Sequence, residues 1–454
     1  MHMKATEVNL SRRRILAGLA GAAALLPLAA CGTVTAPAAE EEEMEEEAAP
    51  TAEEPQEPEV QVAKWFTASY GGGSFDPVQQ GLVDSFNELD ATLQAEYVIV
   101  PGNQQACIEK VRTGLAAGER DIGIFNCSPI WLANIGTAGL AAELDSLIAR
   151  DQVDLTEYAD LAINAHRLQG NLVAIPHYVN SLIVVYNKDL MNTLGEELPV
   201  DSWTWDDFLA LARKLTTGAG AQKQFGVATV PRGFNPNTPW IWMAGGSTYD
   251  DEENPTKSTM SSIETRAGLQ WRADLYHKHQ VTPKPGEVEG DLFSGGVAPL
   301  IVTTGAAMSR YRGDRVSFAW DVIGIPAGPT GRTTFAGSYA QAMYSESSTR
   351  DAAWGLLKHV TGRPGALAML SVSLSVPVYT PVAQNEYRNA DGQPDGIDNV
   401  LNFLTYLRAL PKNPNMIAIY GAAYGTHLGK IWTGEMSVEE ATTAMDTIVD
   451  GELG

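Results

Sequence analysis

Residues 182–186 read Leu-Ile-Val-Val-Tyr, an unbroken apolar run with three β-branched members. A run of this length without polar alternation is a strand covered on both faces. That confines the chain to folds in which other layers pack on either side of a sheet. An earlier apolar run, 172–175, stops at Pro176, which has no N–H to give a sheet ladder. Downstream, Thr204 is placed to cap a helix and Asp207 stands three residues on, a variant of the capping box. Phe208, Leu211, Ala212 and Leu215 then recur at helical spacing.

The same alternation runs through the rest of the chain. Residues 62–67, 95–100 and 122–125 read as strands, separated by a helix carrying Val78, Leu82, Val83 and Phe86 and by a second over 104–117. Strand–helix alternation predicts α/β architecture with a mostly parallel sheet, and such sheets bind ligands beyond the carboxyl ends of their strands. That places the glycine-rich loop 69–74 and the segment Asn126-Cys127-Ser128 on one rim. Further on, 225–230 and 300–302 read as strands and 263–277 and 351–360 as helices. Ser437 is a natural N-cap for the last helix.

The N-terminus is an address rather than part of a fold. Arg12, Arg13 and Arg14 precede an apolar run that ends in Leu28-Ala29-Ala30-Cys31. The run is shorter than the ~20 residues of a spanning helix, and Pro27 interrupts it. The pattern resembles a twin-arginine bacterial lipoprotein signal, in which Cys31 becomes the lipid-bearing first residue. Residues 32–60 hold eleven Glu and no Lys or Arg, a composition that cannot bury a core and predicts a disordered tether.

The net charge of −24 argues against nucleic acid as a partner, because phosphate contacts need clustered Lys and Arg. Three cysteines are too few for a disulfide framework. Cys107 and Cys127 read as two buried thiols, and a bond between them is sterically open. The glycine-rich loop lacks the patterns of nucleotide sites, so no cofactor is expected. The acidic cluster Asp250, Asp251, Glu252 and Glu253 follows a Gly-Gly turn and reads as a loop, not as a paired-carboxylate site. His277 and His279 are two apart and make a poor metal pair on a helix.

Three segments carry a family resemblance: Ile175-Pro176, Val185-Tyr186-Asn187-Lys188-Asp189-Leu190 and Trp203-Thr204-Trp205-Asp206-Asp207-Phe208. The chain resembles family 1 of the extracellular solute-binding proteins, the receptors of sugar importers driven by ATP. The likeness spans roughly 62–453. It implies a type II periplasmic-binding-protein fold, with two α/β lobes, a hinge and a ligand cleft between them. On that template, 61–178 with 337–392 would form one lobe and 179–336 with 393–454 the other. The chain would cross first just after Ile175-Pro176 and again at Phe335-Ala336-Gly337-Ser338.

A sugar presents apolar C–H faces and hydroxyls, so its cleft needs flat rings and polar side chains. By placement on family rims, the candidates are Tyr70, Gly71, Ser128, Trp131, Tyr178, Asn180, Trp240, Trp242, Thr304, Gly305, Ser338, Tyr339 and Tyr379. Of the two tryptophans in 239–246, Trp240 is expected to reach over the rim while Trp242 packs inward. The maltodextrin pattern of the family is not reproduced: Asn180 replaces a carboxylate, and Cys127 and Gly421, beside Tyr420, replace stacking tryptophans. The resemblance implies a monomeric, lipid-anchored, non-enzymatic receptor that hands a sugar or oligosaccharide to membrane permease subunits. A glycerol-phosphate or other phosphoester receptor of the same family, with Gly71 at the anion site, and a secreted carbohydrate-active enzyme are the alternatives.

Overall fold

The computed structural model describes residues 59–453 apart from 70–72, 74, 198, 373 and 374. The signal, Cys31, nearly all of the tether, Tyr70 and Gly71 lie outside the described residues. Residues 58–454 cluster as one unit.

Thirteen strands are present among the described residues: β1 (Gln61–Ala68), β2 (Leu93–Val100), β3 (Ile122–Cys127), β4 (Arg167–Leu168), β5 (Asn171–Leu172), β6 (Ile175–Asn180), β7 (Leu182–Asn187), β8 (Leu300–Thr304), β9 (Trp320–Gly324), β10 (Thr334–Phe335), β11 (Gly337–Met343), β12 (Val376–Pro377) and β13 (Leu407–Arg408). Two sheets organise the chain. One has six strands in the order β12-β6-β11-β3-β1-β2, and the other has three, β8-β7-β9.

The six-stranded sheet is covered on both faces. Ala63 and Trp65 of β1 pack with Leu82, Val83 and Phe86 of the helix Asp76–Asn87 and with Trp354 and Leu357 of the helix Arg350–Thr361. On the opposite face Phe66 packs with Cys107, Ile108 and Val111 of the helix Gln104–Ala117. The period-2 alternation of β1 thus feeds two cores. The expectation of a mostly parallel sheet is corrected: β1 runs parallel to β2 and β3, whereas β11 runs antiparallel to β3 and β6, and β12 antiparallel to β6. The cause is topological, because β11 re-enters the sheet from the other half of the molecule instead of from a crossover helix.

Strand β7 meets the expectation of two covered faces. Ile183 and Val185 point to a cluster with Phe293, Ile301, Val322 and Val400, while Leu182, Val184 and Tyr186 point to one with Trp203, Phe208 and Trp240. The helix Trp205–Leu215 starts at the predicted box: Thr204 Oγ1 accepts from the Asp207 N–H at 3.3 Å, and Asp207 Oδ2 accepts from the Thr204 N–H at 2.8 Å. Such a cap is worth about 1 kcal/mol. Ser437 caps the last helix in the same way, with Glu440 reaching back to its N–H at 2.9 Å.

Two local expectations are corrected. Residues 225–230 form no strand; they run beside β8 through one parallel bridge, Val227 to Leu300, and scattered backbone bonds. Pro176 does not stop the chain's extended run, since it lies inside β6. A register shift between Tyr339 and Ala340 pairs Tyr339 with Tyr178 and Ala340 with Pro176, so His177 is the extra residue of a β-bulge. The ladder is already interrupted there, which lets a residue without an N–H sit in an inner strand.

Candidate functional site

The two sheets are joined at one place. Strand β6 belongs to the six-stranded sheet and β7 to the three-stranded sheet, with only Ser181 between them. The return crossing lies alongside, where β10 pairs with β13 and Ala336 leads into β11. Ser181 Oγ bonds the Thr334 hydroxyl at 2.6 Å and donates to the Phe335 carbonyl at 2.9 Å, and Ala336 N–H donates to Arg408 O at 2.9 Å. The two crossings and β13 are therefore laced together by backbone and hydroxyl bonds. A Cβ on Gly337 would stand 2.6 Å from Asn180 O and closer still to the Phe335 ring, so only glycine lets the two crossings approach this closely.

A cavity of about 730 Å³ opens at these crossings. Its wall draws Tyr178 and Asn180 from β6, Tyr339 from β11, Thr304 from the end of β8, and Ala306, Ser309 and Arg310 from the turn that follows. Tyr178 and Tyr339 face each other across the strand pair and stack, with ring centroids 4.8 Å apart and planes 29° apart. Burial raises the Tyr339 phenol above its ordinary pKa, so it is a neutral hydroxyl at any physiological pH. Asn180 Oδ1 accepts the Ala306 N–H at 2.9 Å, and Gly305 N–H donates to Ser181 O at 3.1 Å. These two bonds fix the turn after β8 against the first crossing.

The predicted residues divide. Tyr178, Asn180, Thr304 and Tyr339 line this cavity, and Gly305 holds its wall. Trp131, at the exit of β3, lies 6.3 Å from the Tyr420 ring, an aromatic contact elsewhere on the molecule. Ser128 bonds Gln104 at 2.6 Å. Ser338 is fully buried and faces away from Tyr339 toward His166, at 3.3 Å, because neighbours on a strand point to opposite sides. Tyr379 donates to Glu157 Oε2 at 3.1 Å and packs edge-on against Tyr158, outside the cavity wall.

The expectation for Trp240 is corrected: it is 0% exposed, stacked on Trp271 at 5.2 Å and near Trp205 at 5.8 Å. Trp242 is also buried, its Nε1–H donating to Glu252 and its face covered by Arg408. The helix Phe234–Met243 carries Pro239 inside it and buries eight of its ten residues, Asn237 and Thr238 among them, so it is a core helix, not a rim.

Sequence reasoning missed Phe75, Ser309, Arg310, Arg312 and Arg315, which also line the cavity. Three arginines within residues 310–315 of so acidic a chain were the available signal. The acidic cluster does structural work. Asp250 accepts the backbone N–H groups of Thr256 and Lys257 at 3.0 Å, and Glu253 pairs with the buried Lys412 at 2.7 Å. Cys107 and Cys127 are free and buried, and burial pushes the Cys107 thiol up to about 12.

Behind the crossings lie two fully buried histidines. His166 Nδ1 meets Ala162 O at 2.8 Å, whereas neither ring nitrogen of His177 has a partner among the described residues. Burial lowers His166 to about 4 and His177 to about 3; the Lys412 charge further disfavours protonation of His166, and a protonated His166 would do the same to His177. Both are therefore neutral in the folded protein at pH 7, and the unfolded chain takes up protons first as pH falls. Stability is full above about pH 6.5 and is lost as pH drops toward 4. The unfolding midpoint, followed by circular dichroism from pH 7 to pH 4, should fall, and His177→Phe should flatten that fall.

Two sheeted α/β halves, joined by laced strands with a cavity where they meet, define a capture protein that holds a solute between lobes. Residues 70–366, more than half of the chain, match the bacterial extracellular solute-binding protein family, and the chain belongs to it. An ABC substrate-binding protein from Listeria monocytogenes, solved in complex with cycloalternan, superposes with a TM-score of 0.73 at 22% identity, covering 87% of this chain and 99% of that one. The sugar-binding protein MalE from Xanthomonas citri gives 0.72 at 17% identity, covering 86% and 97%. A maltotriose-binding protein of Pyrococcus abyssi is 22% identical over 353 residues, 75% of this chain and 74% of its own length. The fold is the type II periplasmic-binding-protein fold that the resemblance implied. No helix among the described residues is long and apolar enough to cross a membrane.

Proposed function

We propose that this protein is the sugar-capturing component of an ABC importer, held outside the membrane by a lipid on Cys31. The cavity at the crossings carries the reading, because it sets a stacked tyrosine pair beside polar wall groups at the point where the halves are joined. Flat rings suit the apolar faces of a sugar, and a hinge beside them lets the halves close over it. The sugar specificities of the similar proteins support the same class of solute. Lobe 1 would comprise 61–178 with 337–392 and lobe 2 179–336 with 393–454. The change of sheet at Ser181 and Ala336 supports boundaries within three residues of the first two junctions. Tyr178, Asn180, Thr304 and Tyr339 would touch the ligand. No bond would be made or broken, and the bound solute would pass to permease subunits from a monomeric receptor.

A thermal-shift screen against mono- and oligosaccharides and polyols tests the reading. A ligand at about 100 times its Kd adds about 2.7 kcal/mol to the native state and must raise Tm. The solute recovered after long incubation should be chemically unaltered; a cleaved product would make the protein an enzyme instead. Cys31→Ser should leave export intact but move the protein from the membrane to the soluble fraction, read by fractionation and blotting. Unchanged membrane association would contradict the anchor.

A further inference from the structure

The wall of the cavity is opposite in sign to the rest of the protein. The chain carries 55 Asp and Glu against 31 Lys and Arg, yet Arg310, Arg312 and Arg315 line the cavity and, among the described residues, no carboxylate does. The three guanidinium groups are also uncompensated. Arg312 gives Nε–H to Asp391 O at 2.8 Å and Nη1–H to Leu370 O at 3.2 Å, and Arg315 gives its Nη1–H to Ser309 O. These acceptors are neutral carbonyls. Arg310 has no hydrogen bond or ion pair among the described residues, and none of the three pairs with a described carboxylate. Lys188, Arg332 and Arg408, on neighbouring segments, each have a carboxylate within 3 Å. In an acidic chain, three unneutralised arginines on one wall repel one another, and a bound anion removes that cost.

Hydrogen-bond inventory points the same way. Sugar hydroxyls donate as well as accept, and a site for a neutral sugar needs acceptors in its wall. Asn180 Oδ1 already accepts one bond, from the Ala306 N–H, and the wall hydroxyls of Tyr178, Thr304, Ser309 and Tyr339 can donate or accept, while guanidinium groups can only donate. A donor-rich wall matches a ligand group that only accepts, which is what an ionised carboxylate or phosphate does, and the planar guanidinium fork fits both. The tyrosine pair lining the same cavity still supplies a surface for a ring.

We propose that the solute is an anionic saccharide, its carboxylate or phosphate held by the arginine wall at 310–315 and its sugar ring by Tyr178 and Tyr339. This rests on the reading of the cavity as a sugar site and adds the charge of the ligand to it.

Calorimetric titration of the whole mature protein with matched probes decides the matter. The pairs are digalacturonate against neutral galactobiose and glucose 1-phosphate against glucose, with inorganic phosphate alone as a further arm. The anionic member of one pair should bind at least about tenfold tighter than its neutral partner, with affinity falling as salt rises from about 0.05 to 0.5 M. The pair showing the gap identifies carboxylate or phosphate as the group. Arg310→Gln should remove most of the gap without changing Tm, since Arg310 is exposed, and Arg310→Lys should restore part of it. A neutral sugar binding as tightly as its anionic partner overturns the inference and leaves the sugar reading standing. Inorganic phosphate binding as tightly as either saccharide overturns the sugar reading, as does binding in no arm, and the inference falls with it.

Discussion

Trp240→Ala should lower the unfolding free energy by about 3 to 5 kcal/mol, the range for emptying an aromatic site in a packed core, and should leave solute affinity unchanged. The indole is 0% exposed and stacks on Trp271, with planes 16° apart, while Trp205 closes the third side. Its helix cannot settle into the space left behind. At Gly268 the helix Ile263–His277 lies so close that a Cβ there would stand 2.4 Å from the Trp240 carbonyl. The two helices are already in contact, so the vacated volume remains a cavity. The indole Nε1–H has no partner among the described residues, so the loss is one of packing alone. Urea unfolding measures it. A variant that unfolds normally but binds solute poorly would put Trp240 in the ligand site instead of the core.

Arg272→Leu should cost about 3 to 5 kcal/mol, although leucine is the more natural core residue. The guanidinium is fully buried and no carboxylate among the described residues neutralises it; burial lowers its pKa, though an arginine stays charged in a protein. It donates to Asn237 Oδ1 and to the carbonyls of Val230 and Pro231, and the Trp432 ring lies 4.5 Å beneath it. Leucine would leave Asn237 Oδ1 and the Pro231 carbonyl without donors, at about 1 to 3 kcal/mol each, while Val230 O keeps the Tyr276 hydroxyl at 3.2 Å, and the loss is offset in part by not burying a charge. Arg272→Lys keeps the charge but not the fork, and should fall between. If the leucine variant is as stable as the parent, Asn237 Oδ1 and the Pro231 carbonyl find other donors and the role given to Arg272 is wrong.

The parts of the fold that were legible in the sequence were those governed by local chemistry. Periodicity gave the helices Gln104–Ala117 and Ile263–His277 their bounds, and Thr204 with Asp207 announced a helix start. The lack of alternation in 182–186 announced two covered faces. What was not legible depended on partners far along the chain. The direction of β11 follows from its return out of the other half, and Pro176 is tolerated only because the register slips at His177. The site shows the same division. Tyr178 and Tyr339 could be placed because they flank the crossings. Trp240 was misplaced because nothing local distinguishes a rim tryptophan from one enclosed by Trp205 and Trp271. The arginines at 310–315 were visible as residues, but only the folded chain brings them into one cavity with the tyrosine pair.

The central claim is that the cavity at the crossings holds the solute. Calorimetric titration of the parent and of the Tyr178→Ala/Tyr339→Ala variant, each with the tightest saccharide from the thermal screen, tests it most directly. The parent should bind at one site, and the variant should lose about 2 to 4 kcal/mol of binding free energy, as expected on removing a stacked aromatic anchor, while remaining folded. Equal affinity in a folded variant would place the solute elsewhere on the protein and contradict the account.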